Sequence, residues 1–287
     1  MKYVKYQGKK FFISNDKFEG KYLNLERNNI NSISDIKDLE NITDIDSLNL
    51  KLNSIESIEG LDHLTSLKKL NLSLNGIKKI QGLSKLKNLK YLNLSGNKIT
   101  KIEGLKNLTD LETLKFSDRC DGISGNKIEK ITGLETFQNL ANLELAYNII
   151  RKIEGLDKLK NLMRLDLYRN NIRKIEGLDM LDNLLRLDLS LNQIKKIEGL
   201  KHNISLEVLN LGANSITVIK NLTKLENLRK LLIYSNPIRK IKNLDFLKNV
   251  KLTIDIDNLY PSDMKKFNSI FVEIKDCEYV INSTHGV

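Results

Sequence analysis

The chain has 287 residues, 47 Lys and Arg against 36 Asp and Glu, a formal net charge of +11, 40% apolar residues and two cysteines. Its apolar residues never run long enough to span a bilayer, and the opening Met-Lys-Tyr-Val-Lys-Tyr-Gln-Gly lacks an apolar signal core. With only Cys120 and Cys277, a disulfide-stapled scaffold is excluded, so the expectation is a soluble monomer with no membrane association, cytoplasmic or otherwise intracellular, the nucleus included.

In chain order, residues 2 to 13 read as a β-hairpin about Gln7-Gly8, which makes 1–20 an N-terminal cap. From there to residue 249 the chain repeats itself. An Asn stands at Asn28, Asn53, Asn75, Asn97, Asn126, Asn148, Asn170, Asn192, Asn214 and Asn236, and seven of the nine gaps are 22 residues. Around each Asn recurs the frame of Leu143-x-Leu145-x-x-Asn148-x-Ile150-x-x-Ile153-x-Gly155-Leu156-x-x-Leu159, the pattern of a leucine-rich repeat. The two leucines of Leu-x-Leu share one face of a strand, and the Ile-x-x-Ile-x-Gly-Leu-x-x-Leu return suits a 3₁₀ path or a short helical turn.

The expected fold is therefore an α/β repeat solenoid of about ten repeats, a right-handed horseshoe with a concave parallel β-sheet and a convex side of 3₁₀ turns and short helices. Stacked Asn side chains should form a structural ladder that satisfies backbone groups at each turn. The column of Gly60, Gly82, Gly104, Gly133, Gly155, Gly177 and Gly199 becomes Asp35, Asn221 and Asn243 elsewhere, which predicts a positive φ there. Residues 250–287 depart from the repeat and read as a C-terminal cap: a strand over 250–256, a short helix over 261–267 and a strand over 270–281.

The 22-residue frame with Ile-x-x-Ile-x-Gly-Leu resembles the short cytosolic subclass found in the leucine-rich-repeat regulatory subunit of type-1 protein phosphatase. The resemblance implies a protein-binding solenoid, with a phosphatase catalytic subunit as the implied partner and Glu144, Asp166 and Asp188 as partial matches to the acidic concave residues of that family.

No catalytic constellation is present. His63, His202 and His285 lie in separate segments, neither Cys has a spaced partner, and no glycine-rich phosphate loop occurs, so no enzyme activity, cofactor or metal is expected. Function is sought instead in the columns that the core does not use. The residue between the two leucines reads Asn24, Asn49, Asn71, Asn93, Lys115, Glu144, Asp166, Asp188, Asn210, Leu232, and the preceding column includes Arg164, Arg186 and Val208. Stacked acids repel unless cations answer them, and Arg164 and Arg186 stand close enough in sequence to do so.

Together with Tyr147, Tyr168, Arg169 and Tyr234, and with Val208 and Leu232 as apolar members, these residues form the candidate partner-binding face, because Tyr and Arg are enriched among binding anchors. A seven-residue excess in repeat five puts Asp118, Arg119, Cys120 and Asp121 on a loop, the basis for a rival reading as a scaffold subunit. A second rival is binding of RNA or another acidic polymer by a basic edge that includes Lys79, Lys101, Lys130, Lys152, Lys174 and Lys196.

Overall fold

The computed structural model describes residues 2–117, 126–243, 250–254, 259–263, 265 and 280–281. The chain divides into two compact units, Met1–Ile149 and Ile150–Val287. Each is a parallel-sheet β-solenoid, about ten turns in all.

The first unit opens with an antiparallel hairpin, β1 (Tyr3–Tyr6) and β2 (Lys9–Phe12), turning through Gln7 (φ 46°) and Gly8 (φ 78°). Lys5 and Lys37 exchange backbone hydrogen bonds of 2.9 Å in both directions, which docks the hairpin on the first turn and buries Val4 and Tyr6. A second antiparallel pair follows, β3 (Ser14–Asp16) and β4 (Gly20–Asn24). The short parallel strands β5 (Ser47–Asn49), β6 (Lys69–Asn71), β7 (Tyr91–Asn93), β8 (Thr113–Lys115) and β9 (Asn142–Glu144) then add in sequence order, with Leu48, Leu70, Leu92, Leu114 and Leu143 in register.

The second unit continues the pattern with β10 (Arg164–Asp166), β11 (Arg186–Asp188) and β12 (Val208–Asn210). β13 (Val218–Ile219) and β15 (Lys240–Ile241) make a separate two-stranded parallel sheet, while β14 (Lys230–Leu232), β16 (Lys251–Ile254) and β17 (Val280–Ile281) extend the main one. Most of the segment expected to cap the C-terminus lies outside the described residues.

A typical turn buries seven apolar side chains, as in Leu165, Leu167, Ile172, Ile175, Leu178, Leu181 and Leu184, all at 2% exposure or less. At about 1.5 to 3 kcal/mol for each buried side chain, this column is the main source of cohesion. The return path is held by bonds such as Leu159 N–H to the Leu156 carbonyl (2.9 Å) and Leu162 N–H to the Leu159 carbonyl (3.0 Å), the 3₁₀ spacing.

The Asn ladder bridges successive turns. Asn97 accepts from Ile77 N–H (3.0 Å) and donates to the Leu72 carbonyl of the turn before (3.0 Å) and to Leu94 in its own turn (2.9 Å). Asn126 keeps the same role through the carbonyls of Leu94 and Phe116, so the excess residues of repeat five leave the ladder intact.

The glycine column is left-handed throughout, and the reason is twofold. A Cβ at Gly104 would stand 2.2 Å from the Ile80 carbonyl oxygen of the preceding turn. Asn221, in the same column with φ 61°, instead donates its amide to the matching carbonyl of Ile197 (2.8 Å). Asp35 departs from the prediction: it lies in a 3₁₀ helix over Ile33–Asp35, and the left-handed residue is Asp38 (φ 68°), within the stretch lengthened by three residues.

Candidate functional site

The strand residues that alternate away from the leucines form the open face of each sheet. The between-leucine column turns out to have a backbone duty. Asn24, Asn49, Asn71 and Asn93 each accept, through Oδ1, the N–H two residues on, at 3.0 to 3.1 Å. Asp166, Asp188 and Asn210 do the same for Tyr168, Ser190 and Gly212. This is the Asx turn, and it bends the chain out of the strand before the ladder Asn takes over. The residue type was the signal: Asn and Asp are the side chains short enough to reach that N–H.

Immediately before the ladder Asn runs a second left-handed column that the repeat pattern did not announce. Arg27, Leu52, Leu74, Tyr147, Arg169, Leu191, Ala213 and Ser235 all have φ between 50° and 59°. Non-glycine residues hold this conformation at a cost, and the flanking Asx turn and ladder amide impose it. Tyr147 and Arg169 are thus placed by the turn, half-buried and exposed respectively.

In the first unit the acid Glu144 is answered from the preceding strand, with Lys115 Nζ at 3.0 Å. In the second unit, Arg164 is in register with Arg186, and Asp166 with Asp188. Asp166 is buried, at 8% exposure, while both arginines are exposed. Asp188 is satisfied by neutral donors: Ser190 N–H (2.9 Å), Ser190 Oγ (2.5 Å) and Asn210 Nδ2 (3.0 Å). Tyr168, Val208, Leu232 and Tyr234 are half-buried, and the Tyr234 ring lies so close to Gly212 that a Cβ there would meet it at 2.5 Å. The candidate loop residues Asp118, Arg119, Cys120 and Asp121 lie outside the described residues.

The open face also holds a cleft at the start of the first unit. A cleft of about 510 Å³ is lined by Asp16, Phe18, Glu19, Tyr22, Asn49, Lys69, Asn71 and Tyr91. The β3–β4 turn makes its wall. Asp16 Oδ1 accepts from Phe18 N–H (2.7 Å) and Glu19 N–H (2.9 Å), and these two backbone donors, Glu19 first, hold its carboxyl below the usual range.

The same turn is latched to the sheet. Glu19 takes Lys69 Nζ at 3.2 Å and Ser47 Oγ at 2.8 Å, and Lys69 also donates to the Phe18 carbonyl (3.0 Å). Phe18 is left 79% exposed at the tip. Sequence reasoning passed over this turn because it lies before the first repeat; Asp16-Lys17-Phe18-Glu19-Gly20, an Asx-type turn ending in glycine, was the available signal.

Among the described residues, no group of three or more His, Cys, Asp and Glu could hold a metal ion, and no helix is long and apolar enough to cross a membrane.

A family model described as leucine-rich repeats, two copies, matches residues 65–107 and again 87–136. The matched segment is built of leucine-rich repeats, and the parallel-sheet solenoid has the leucine-rich-repeat fold. An internalin (inlF) of Listeria monocytogenes is similar over 92% of this chain and 87% of its own, with a TM-score of 0.68 and 22% identity. The leucine-rich-repeat protein LIC12759 of Leptospira interrogans is similar over 84% of this chain, which spans 62% of it, with a TM-score of 0.75 and 25% identity. The functional domain of InlJ from Listeria monocytogenes follows at 0.57 and 18%, over 83% of this chain and 58% of its own. Curated protein sequences yield no match.

These relatives correct the cytoplasmic location expected from the sequence, because internalins are secreted or cell-wall proteins. The physical reason is visible in the first unit. Its end is closed by a hydrogen-bonded hairpin over Val4 and Tyr6, so scarce cysteine says nothing about compartment.

Proposed function

We propose that the protein binds a folded protein partner on the open strand face, anchored in the cleft of the first unit. The observation that carries this is the latched β3–β4 turn, which sets Phe18, Tyr22 and Tyr91 beside the amides of Asn49 and Asn71 on a rigid sheet. Aromatic anchors over a preformed surface lower the ordering penalty of association. Because Asn71 Oδ1 is occupied by Ser73, its amide N–H groups are directed to donate outward.

The test is capture from an extract of the source organism, with the wild-type chain, a Phe18→Asp plus Tyr91→Ser variant, and a convex-side Lys87→Glu control. A partner retained by wild type and control and lost with the cleft variant supports the reading. A partner lost equally with the control, or with neither, refutes it.

The sequence resemblance supports a narrower reading in which the partner is a type-1 phosphatase catalytic subunit. Asp188→Asn keeps the Oδ1 contact to Ser190 but removes the charge and the Oδ2 acceptor of Asn210 Nδ2, so loss of phosphatase retention at an unchanged melting point separates recognition from folding.

A further inference from the structure

The charge of this protein is concentrated. The first 75 residues hold eleven Lys and Arg against eleven Asp and Glu, whereas residues 76–130 hold twelve against six, more than half of the total excess of +11. The stacking of turns gathers these lysines on the path that descends from the strands. There Lys98 N–H bonds to the Ile77 carbonyl and Lys127 N–H to the Ile99 carbonyl, both at 2.8 Å, so Lys98 and Lys127 sit on successive turns. Lys101 and Lys130 follow three residues later in the same turns, Lys79 holds that position one turn earlier, and all five are exposed.

Adjacent ladders of opposite sign normally neutralise each other, and in the second unit they do. Lys152 and Lys174 reach Glu154 and Glu176 at 3.6 and 3.5 Å, and the column of Lys98 and Lys127 is occupied there by the neutral Asn171 and Gln193. In the first unit the two positions that would supply acids after Lys79 and Lys130 are Gln81 and Thr132. The repeat's own compensation is missing beside Lys79 and Lys130 and is kept beside Lys101 as Glu103.

That place is also concave. A cleft of about 500 Å³ is walled by Lys101, Lys127 and Lys130, with the hydroxyls of Thr100 and Thr132, a single carboxylate, Glu129, and the apolar side chain of Ile149. We infer that this cleft binds the sulfate esters of a linear sulfated polysaccharide. Turns about 4.8 Å apart repeat the cations at close intervals, which suits a chain of closely spaced anions. Single-stranded nucleic acid is held by aromatic platforms as well as charge, and no aromatic side chain lines this cleft among the described residues. Threonine hydroxyls and the Ile149 surface instead offer a hydrogen-bonding and apolar wall for sugar rings.

The test is equilibrium binding of a heparin-derived hexasaccharide to the intact chain at about 0.15 M salt, where exposed charges more than ~8 Å apart are screened. A Lys101→Gln, Lys127→Gln, Lys130→Gln variant is compared with a Lys152→Gln, Lys174→Gln, Lys196→Gln variant of equal net charge. A site of three cations predicts a log–log salt slope of about −2 to −3 and a loss of at least about tenfold for the first variant, against less than about twofold for the second. If the first triple melts early, Lys127→Gln alone carries the comparison, with an expected loss of about threefold. No binding, equal weakening by both triples, or tighter binding of a single-stranded uridine oligonucleotide that is lost in the first triple overturns the assignment; the last outcome would make the occupant a nucleic acid.

Discussion

Replacing a rung of the amide ladder is the sharpest test of what holds the turns together. In Asn97→Ala, the Ile77 N–H loses its side-chain acceptor (3.0 Å), and the carbonyls of Leu72 and Leu94 each lose a donor, at 3.0 and 2.9 Å. Asn97 is 5% exposed, so water cannot easily replace these contacts. A buried group left unsatisfied costs about 1 to 3 kcal/mol. The Leu94 carbonyl still receives Asn126 Nδ2 at 3.0 Å, so its share is small. The Leu72 carbonyl likewise keeps Asn75 Nδ2 at 3.1 Å, so the Ile77 N–H dominates, and the expected loss is about 2 to 3 kcal/mol.

The matched control is Asn93→Ala on the half-buried open face, which gives up one Asx bond to Ser95 N–H that solvent can replace, at about 1 kcal/mol or less. Urea unfolding followed by circular dichroism reads both as midpoint shifts at constant slope. A fall in slope for Asn97→Ala alone would mean that neighbouring turns uncouple, the behaviour expected of a repeat array. A loss below about 1 kcal/mol, or one no larger than that of Asn93→Ala, would refute the ladder as a cohesive element.

Gly104→Ala should destabilise by about 2 to 4 kcal/mol, since it combines left-handed backbone with a Cβ at 2.2 Å from the Ile80 carbonyl, while Gly104→Asn should lose less because Asn221 already solves the same problem. Thermal melts of the two variants rank them, and equal melting points would sink the argument. Asn203 is fully buried, donates to the carbonyls of Leu178 and Leu181, and leaves Oδ1 without a partner among the described residues. Asn203→Leu, which restores the residue that Leu181 supplies one turn earlier, should raise stability by about 1 to 2 kcal/mol in urea titration. Lys21 and then Lys2 hydrogen-bond Asp44 and hold its pKa down at about 2. Because the folded value is depressed, this contribution is complete above the usual 3.8 and disappears as pH falls towards 2. An NMR titration of the Asp44 side chain in the folded protein should show that midpoint, and a midpoint near 3.8 would contradict it.

The fold was legible because each turn is written in its own residues: Leu-x-Leu for the strand, Asn for the bend, Gly for the left-handed step. The repeat-five excess was also read without losing the ladder, since Asn126 keeps the carbonyl partners that its position requires. The candidate site was less legible. Asp166 and Asp188 stood out as acids, yet their first duty is to accept a backbone N–H, a role that Asn71 and Asn93 fill without charge.

By itself the sequence determined the period, the core and the sites of positive φ in the glycine column, because these are local and recur every turn. Tertiary structure alone decided which side chains meet across turns. Lys115 answers Glu144 from the preceding strand, Glu19 reaches 50 residues along the chain to Lys69, and lysines on separate turns wall one cleft. Stacking distance, not sequence distance, sets those pairings, and no single repeat contains it.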